Sequence, residues 1–147
     1  MKIFLGADHG GYKYKEELKK FLIKNKYSLA DVGNTAVDPQ DDYPVFAFKM
    51  ARQVAQTRDG RGIFICRSGA GGCIAANKVK GIRACQAFNL RSAKMSRVDD
   101  DANVLCLGAD YISLAEAKKM VAVWLKTKFS ASARHHRRVN MIKRAEK

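Results

Sequence analysis

Few side chains in this 147-residue sequence suit proton or group transfer, and they cluster in a few segments. Cys66 ends the apolar run Gly62-Ile63-Phe64-Ile65-Cys66 and opens the turn Arg67-Ser68-Gly69-Ala70-Gly71-Gly72. Three glycines in four positions let the backbone approach a ligand and turn successive N–H groups inward. A helix start behind them adds partial positive charge. Such a turn suits a phosphate or the oxyanion of an enediolate, and it matches neither nucleotide-binding fingerprint. A thiol at a strand end, facing a helix start, is expected to ionise more easily than usual and to serve as nucleophile or general base. The plainer reading of Cys66 is a small buried apolar side chain.

The remaining candidates lie elsewhere in the chain. His9 follows Asp8 just beyond the apolar run Lys2–Leu5. His135 and His136 sit in Arg134-His135-His136-Arg137-Arg138, where Arg134 and Arg138 share one helical face. That segment reads as a solvated basic tail or as an anion clamp, because guanidinium groups grip phosphate by paired hydrogen bonds. The cysteines Cys66, Cys73, Cys85 and Cys106 form no C-x-x-C pair and no Cys/His spacing typical of zinc, so no metal is expected.

Positioning these groups requires a frame, and periodicity supplies one. Short apolar runs at Lys2–Leu5, Tyr27–Val32, Gly62–Cys66, Ile82–Ala87 and Asn103–Leu107 read as strands. Between and after them, Tyr12–Lys24, Val45–Ala55, Ile74–Lys78, Arg91–Arg97 and Leu114–Lys128 read as helices, with a short last helix at Arg134–Lys143. Pro44 fits the first turn of the second helix. The alternation predicts an α/β fold: three layers around a five-stranded parallel sheet. Ligands then bind beyond the strand C-termini. That rule selects Gly6–Gly10, Cys66–Gly72 and the loop around Asp99–Asp101.

The length suits one domain spanning 1–147. No apolar stretch is long enough to cross a membrane, and the N-terminus turns polar at Asp8 before a signal segment could form, so a cytoplasmic location is expected. The formal charge of +14 invites a nucleic-acid partner. However, the aromatics Phe4, Tyr12, Phe21, Phe64 and Trp124 fall mostly on apolar faces, not among basic residues. Residues 126–147 carry eight Lys and Arg against one Glu, half of the excess. The lysines along Lys13–Lys26 and Lys118–Lys128 read as solvated helix faces.

Several motifs, taken in order, resemble the ribose-5-phosphate isomerase B family, which includes the galactose-6-phosphate isomerase subunits. They are Gly6-Ala7-Asp8-His9-Gly10-Gly11, Asp42-Tyr43-Pro44, Gly62 through Gly71, Ile74-Ala75-Ala76-Asn77-Lys78, Gly81-Ile82-Arg83-Ala84, Asn103-Val104-Leu105 and Arg134 through Val139. The resemblance covers essentially the whole chain. It implies a Rossmann-like homodimer or homotetramer with active sites shared between subunits, and no cofactor or metal. It implies an aldose–ketose isomerisation of a phosphorylated sugar through a cis-enediol, ribose 5-phosphate to ribulose 5-phosphate first among the options. By the same resemblance Cys66 is the base moving a proton between C1 and C2, and Ser68 supports it. The amides of Gly69, Ala70, Gly71 and Gly72 stabilise the enediolate oxygen. Asp8 and Tyr43 hold sugar hydroxyls. His9 holds the phosphate with Arg134 and Arg138 of a neighbouring subunit, and Asn103 contributes across the interface. Segment 126–147 is accordingly expected to touch that neighbour.

Departures from the family pattern bear on the substrate. Asp99 stands where a ring-opening histidine is usual, Asp100 where asparagine is usual, and Asp110 where an arginine helps bind phosphate. Arg67 replaces a glycine and Cys73 a serine. Three accounts follow: Asp99 or His135 takes over ring opening; the substrate is a tetrose 4-phosphate, which cannot cyclise through its blocked O4; or Arg67 recovers the binding lost at Asp110. A hexose 6-phosphate substrate and a non-catalytic phosphosugar-binding protein are the remaining alternatives, and nucleic-acid binding as the main role is disfavoured.

Overall fold

The computed structural model describes residues 1–146. Five parallel strands, β1 (Lys2–Ala7), β2 (Leu29–Asp31), β3 (Gly60–Cys66), β4 (Ala84–Gln86) and β5 (Val104–Gly108), lie in the order β2-β1-β3-β5-β4. Six helices accompany them: α1 (Tyr12–Lys24), α2 (Tyr43–Gln56), α3 (Ala70–Ala76), α4 (Leu90–Asp100), α5 (Leu114–Lys126) and α6 (Ala133–Ala145). The expected three-layer, Rossmann-like α/β arrangement is present.

The central strands are apolar throughout because both sheet faces are covered. Ile3, Leu5, Ile63, Ile65, Leu105 and Leu107 point to one side, against Leu18 and Leu22 of α1 and Trp124 of α5. Phe4, Phe64, Cys66, Val104 and Cys106 point to the other, against Met50 and Val54 of α2 and Ala75 of α3. Capping boxes start α4 (Asn89 with Ser92) and α5 (Ser113 with Glu116).

The structure departs from the expected elements where tertiary context intervenes. β2 and β4 are three residues each, shorter than their apolar runs, and they are the two edges of the sheet. α3 begins at Ala70 rather than Ile74, so Gly71 and Gly72 belong to its first turn. Lys15 is no solvated helix residue: its side chain is 1% exposed and its ammonium lies 2.7 Å from Asp31 and 2.6 Å from Glu16. That pairing fastens α1 to the end of β2.

Candidate active site

The chain leaves β1 toward one sheet edge and returns through β3 on the other side of β1. A crevice opens between strand C-termini at such a reversal. Here the loops after β1 and β3 meet, carrying Asp8, His9, Cys66, Arg67 and Ser68 together.

Cys66 is 4% exposed, and its sulfur accepts the Gly69 amide at 3.2 Å. Gly69 has φ of 82°, a left-handed conformation that favours glycine and folds the turn back over the thiol. Ser68 Oγ accepts the Ala70 amide at 3.2 Å, while Gln86 of β4 donates to the Ser68 carbonyl at 2.6 Å. The turn is also tied to the segment after β5, whose Ala109 and Asp110 amides donate to the carbonyls of Cys66 and Arg67 at 2.9 and 3.0 Å. One expectation is corrected here. Burial raises the Cys66 thiol pKa above its ordinary value, and the amides of Gly72 and Gly69 offset this only in part, with the nearby Asp8 raising it further. Burial thus favours the thiol over the thiolate.

Asp8 is 5% exposed and accepts the Gly11 amide at 3.0 Å. Burial pushes its carboxyl up as well. Tyr43, the first residue of α2, lies against Gly71: a Cβ there would stand 2.7 Å from its Cζ and 3.1 Å from its hydroxyl. The phenol thus stands beside the glycine turn.

Asp41, in the polar segment between β2 and α2, is the main residue that sequence reasoning missed. Its Oδ1 accepts the His9 backbone amide at 3.0 Å and meets His9 Nδ1 at 2.6 Å. Asp8, His9 and Asp41 bring three donor atoms within 4.8 Å of one another. The imidazole and the Asp41 carboxylate hydrogen-bond directly, however, so this is a bonded dyad beside Asp8 rather than an open ligand set.

The remaining candidates lie elsewhere. Cys66 is level with Gly108, and Gly62 with Val104, so the start of β5 is four residues, about 13 Å of strand, from the thiol. Asn103 sits at that far end, donating to the Gly81 carbonyl and accepting the Arg83 amide, each at 2.8 Å. Asp99 and Asp100 end α4 on the same far rim. The loop around Asp99–Asp101 is thus not at the strand C-termini, a second correction: α4 runs back along the sheet and delivers it to the opposite edge. Asp99 faces His135 Nε2 of α6 at 3.7 Å. Arg134 and Arg138 are exposed on α6 and form no ion pair among the described residues. A surface groove of about 660 Å³ also avoids the thiol and runs between Asn77–Ile82 and the end of α6.

Residues 3–142 match the family model described as "Ribose/Galactose Isomerase". A solved structure of ribose-5-phosphate isomerase B from Clostridium thermocellum is 45% identical, with a TM-score of 0.94 over 99% of this chain and 97% of that one. The enzyme of the same name from Mycoplasma genitalium, solved with bound ribulose-5-phosphate, is 39% identical, with a TM-score of 0.95 over 99% of this chain and 95% of that one. A curated relative from Mycolicibacterium smegmatis, "D-erythrulose-4-phosphate isomerase 2", is 39% identical over 97% of this chain and 95% of its own length. Within this α/β frame a thiol, a glycine turn and a carboxylate–imidazole dyad share one rim of the sheet; with the family model matched over residues 3–142 and relatives 39–45% identical along nearly their whole length, the chain belongs to the ribose/galactose isomerase family.

Proposed function

We propose that the protein interconverts an aldose phosphate and a ketose phosphate, with ribose 5-phosphate and ribulose 5-phosphate as the first pair. The observation carrying this reading is the seat of Cys66: a buried sulfur under the Gly69 amide, inside a glycine turn that opens the first turn of α3. As thiolate, Cys66 takes the proton from C2 of the open-chain aldose. The electron pair moves into the C1–C2 bond, and the C1 oxygen takes the negative charge as the enediolate forms. Transfer of one proton between the two enediolate oxygens and return of the other from Cys66 to C1 give the ketose. Amides of Ala70, Gly71 and Gly72 stabilise the developing charge. Ser68 holds the turn in shape, Asp8 and Tyr43 orient sugar hydroxyls, and His9 and Arg67 bind phosphate.

The residues on the far rim fit a site completed by a second copy of the chain. In this reading a neighbour supplies Arg134, Arg138 and Asn103, with Asp99, paired to His135, as the ring-opening acid and Asp100 beside it. Segment 126–147 then forms part of the contact. A cytoplasmic location suits such an enzyme. Among the described residues no helix is long and apolar enough to cross a membrane.

A second reading, a tetrose 4-phosphate substrate, is supported by Asp99 in place of the usual histidine and by the similarity to a protein named D-erythrulose-4-phosphate isomerase. Turnover of ribose 5-phosphate and erythrose 4-phosphate, assayed side by side with Cys66→Ala as control, separates the two. Full activity in that variant removes Cys66 as the base.

A further inference from the structure

We infer that Asp41 is a positioning residue that holds the His9 ring by Nδ1 and leaves Nε2–H to face the substrate's phosphate. The inference rests on the phosphosugar reading above. Two bonds from one residue to one oxygen, backbone amide at 3.0 Å and Nδ1 at 2.6 Å, fix the imidazole's rotation. The other Asp41 oxygen accepts Asn34 Nδ2 at 3.2 Å, and the Asp41 amide donates to the Asp38 carbonyl at 3.0 Å, so the carboxylate is itself held. Its side chain is 8% exposed, whereas that of His9 is 31% exposed, so the open side of the pair belongs to the imidazole. The long segment between β2 and α2 thereby has a task, delivery of one carboxylate to the back of His9.

The charged groups facing His9 are Asp8 from its own turn, Asp41 from the β2–α2 segment and Arg67 from the β3–α3 turn. The Asp41 hydrogen bond raises the imidazole pKa most, with Asp8 adding to it, against partial burial and Arg67, which lower it. Net, His9 stays protonated at higher pH than a free imidazole. A charged donor binds phosphate more strongly than a neutral one. A carboxylate behind a ligand-binding histidine sets its tautomer and orientation in the same way at metal centres.

The test compares wild type with Asp41→Asn and Asp41→Glu by three measurements: ¹⁵N NMR titration of the His9 ring, binding of inorganic phosphate, and KM and kcat for ribose 5-phosphate and erythrose 4-phosphate from pH 6 to 9. In Asp41→Asn the ring is expected to titrate at lower pH, and phosphate binding and 1/KM to fall about tenfold at pH 8, with kcat within about twofold. The gap closes toward pH 6, where the ring is protonated in both proteins. Asp41→Glu recovers part of the titration. An unchanged His9 titration, or a loss in kcat with KM untouched, overturns the inference. Failure of wild type to turn over either sugar defeats the phosphosugar reading instead, and the titration and phosphate binding still decide the role of Asp41.

Discussion

Arg67 and Asp110, which depart from the family pattern in opposite senses, form one ion pair. Arg67 Nε lies 3.1 Å from Asp110 Oδ2, and the backbone of the same two residues is bonded at 3.0 Å. The cation expected at position 110 is thus present at position 67. Gly10 makes room for it, since a Cβ there would collide with the Arg67 stem. With Nε engaged, the terminal guanidinium nitrogens remain for an anion. Arg67→Ala is expected to raise KM about tenfold while barely moving the thermal midpoint, because an exposed pair contributes roughly 0–1 kcal/mol. Kinetics and thermal unfolding of the one variant check both halves. An unchanged KM removes Arg67 from the phosphate seat.

Burial of Cys66 has a kinetic signature under the proposed mechanism. That mechanism uses the thiolate and burial raises the thiol's pKa, so the competent fraction is expected to grow as pH rises. The pH profile of kcat/KM is expected to climb through the alkaline range rather than level off near pH 7. Cys66→Ala should keep the fold and lose about a thousandfold in kcat.

The proposed completion of the site by a second copy of the chain predicts complementation. Cys66→Ala and Arg138→Ala proteins, each impaired alone, should regain activity when unfolded together and refolded as mixed oligomers. One site in each mixed pair then has both the intact thiol and the intact arginine. If every group acts within its own chain, mixing restores nothing.

Lys15 and Asp31 make a stability prediction. Burial pushes the Asp31 carboxyl up, but hydrogen bonds from Lys15 and Lys19 outweigh it and leave its pKa below the ordinary value. The stabilisation from Asp31 is therefore full above the unfolded-state pKa and is lost as pH falls through the lower folded-state value. Asp31→Asn should cost about 3 kcal/mol at pH 7 by leaving the buried ammonium with Glu16 alone, and much less near pH 2. Lys15→Met, which removes the buried charge, should cost far less than Asp31→Asn. Urea unfolding at the two pH values measures both effects.

How much of this was legible in the sequence depended on whether the signal was local. The apolar runs of β1, β3 and β5 announce buried parallel strands, and the composition of Arg67–Gly72 announces the turn. β4 reads too long because hydrophobicity records burial, and Ile82 and Ala87 are buried beyond the ends of its ladder; β2 reads too long although none of Tyr27–Val32 is fully buried, its ladder with β1 covering Leu29–Asp31 alone. Lys15 looked like its solvated neighbours since nothing in α1 reveals that Asp31 waits beneath it. Cys66 was misjudged on ionisation: adjacent amides are visible in the sequence, while the packing of Phe64, Ala75 and Cys106 around the sulfur's layer is not. Asp41 is 32 residues from His9 in a polar segment, and no spacing rule connects them. The Asp99–Asp101 loop was assigned to the wrong rim because loop composition does not say which end of a sheet a helix returns to.

The insertion of β5 between β3 and β4 also sets an order of assembly. β4 pairs only with β5, and β5 covers the open side of β3. A nascent chain ending before Val104 can build β2-β1-β3 but has no sheet edge on which β4 belongs, and β3, with its apolar run Ile63–Cys66, stays uncapped. Such a chain exposes a template for pairing with other chains. The turn carrying Cys66 also lacks its hydrogen bonds from Ala109 and Asp110 until that strand has arrived. Synthesis of the last third of the chain therefore closes the sheet and completes the thiol's surroundings in the same event.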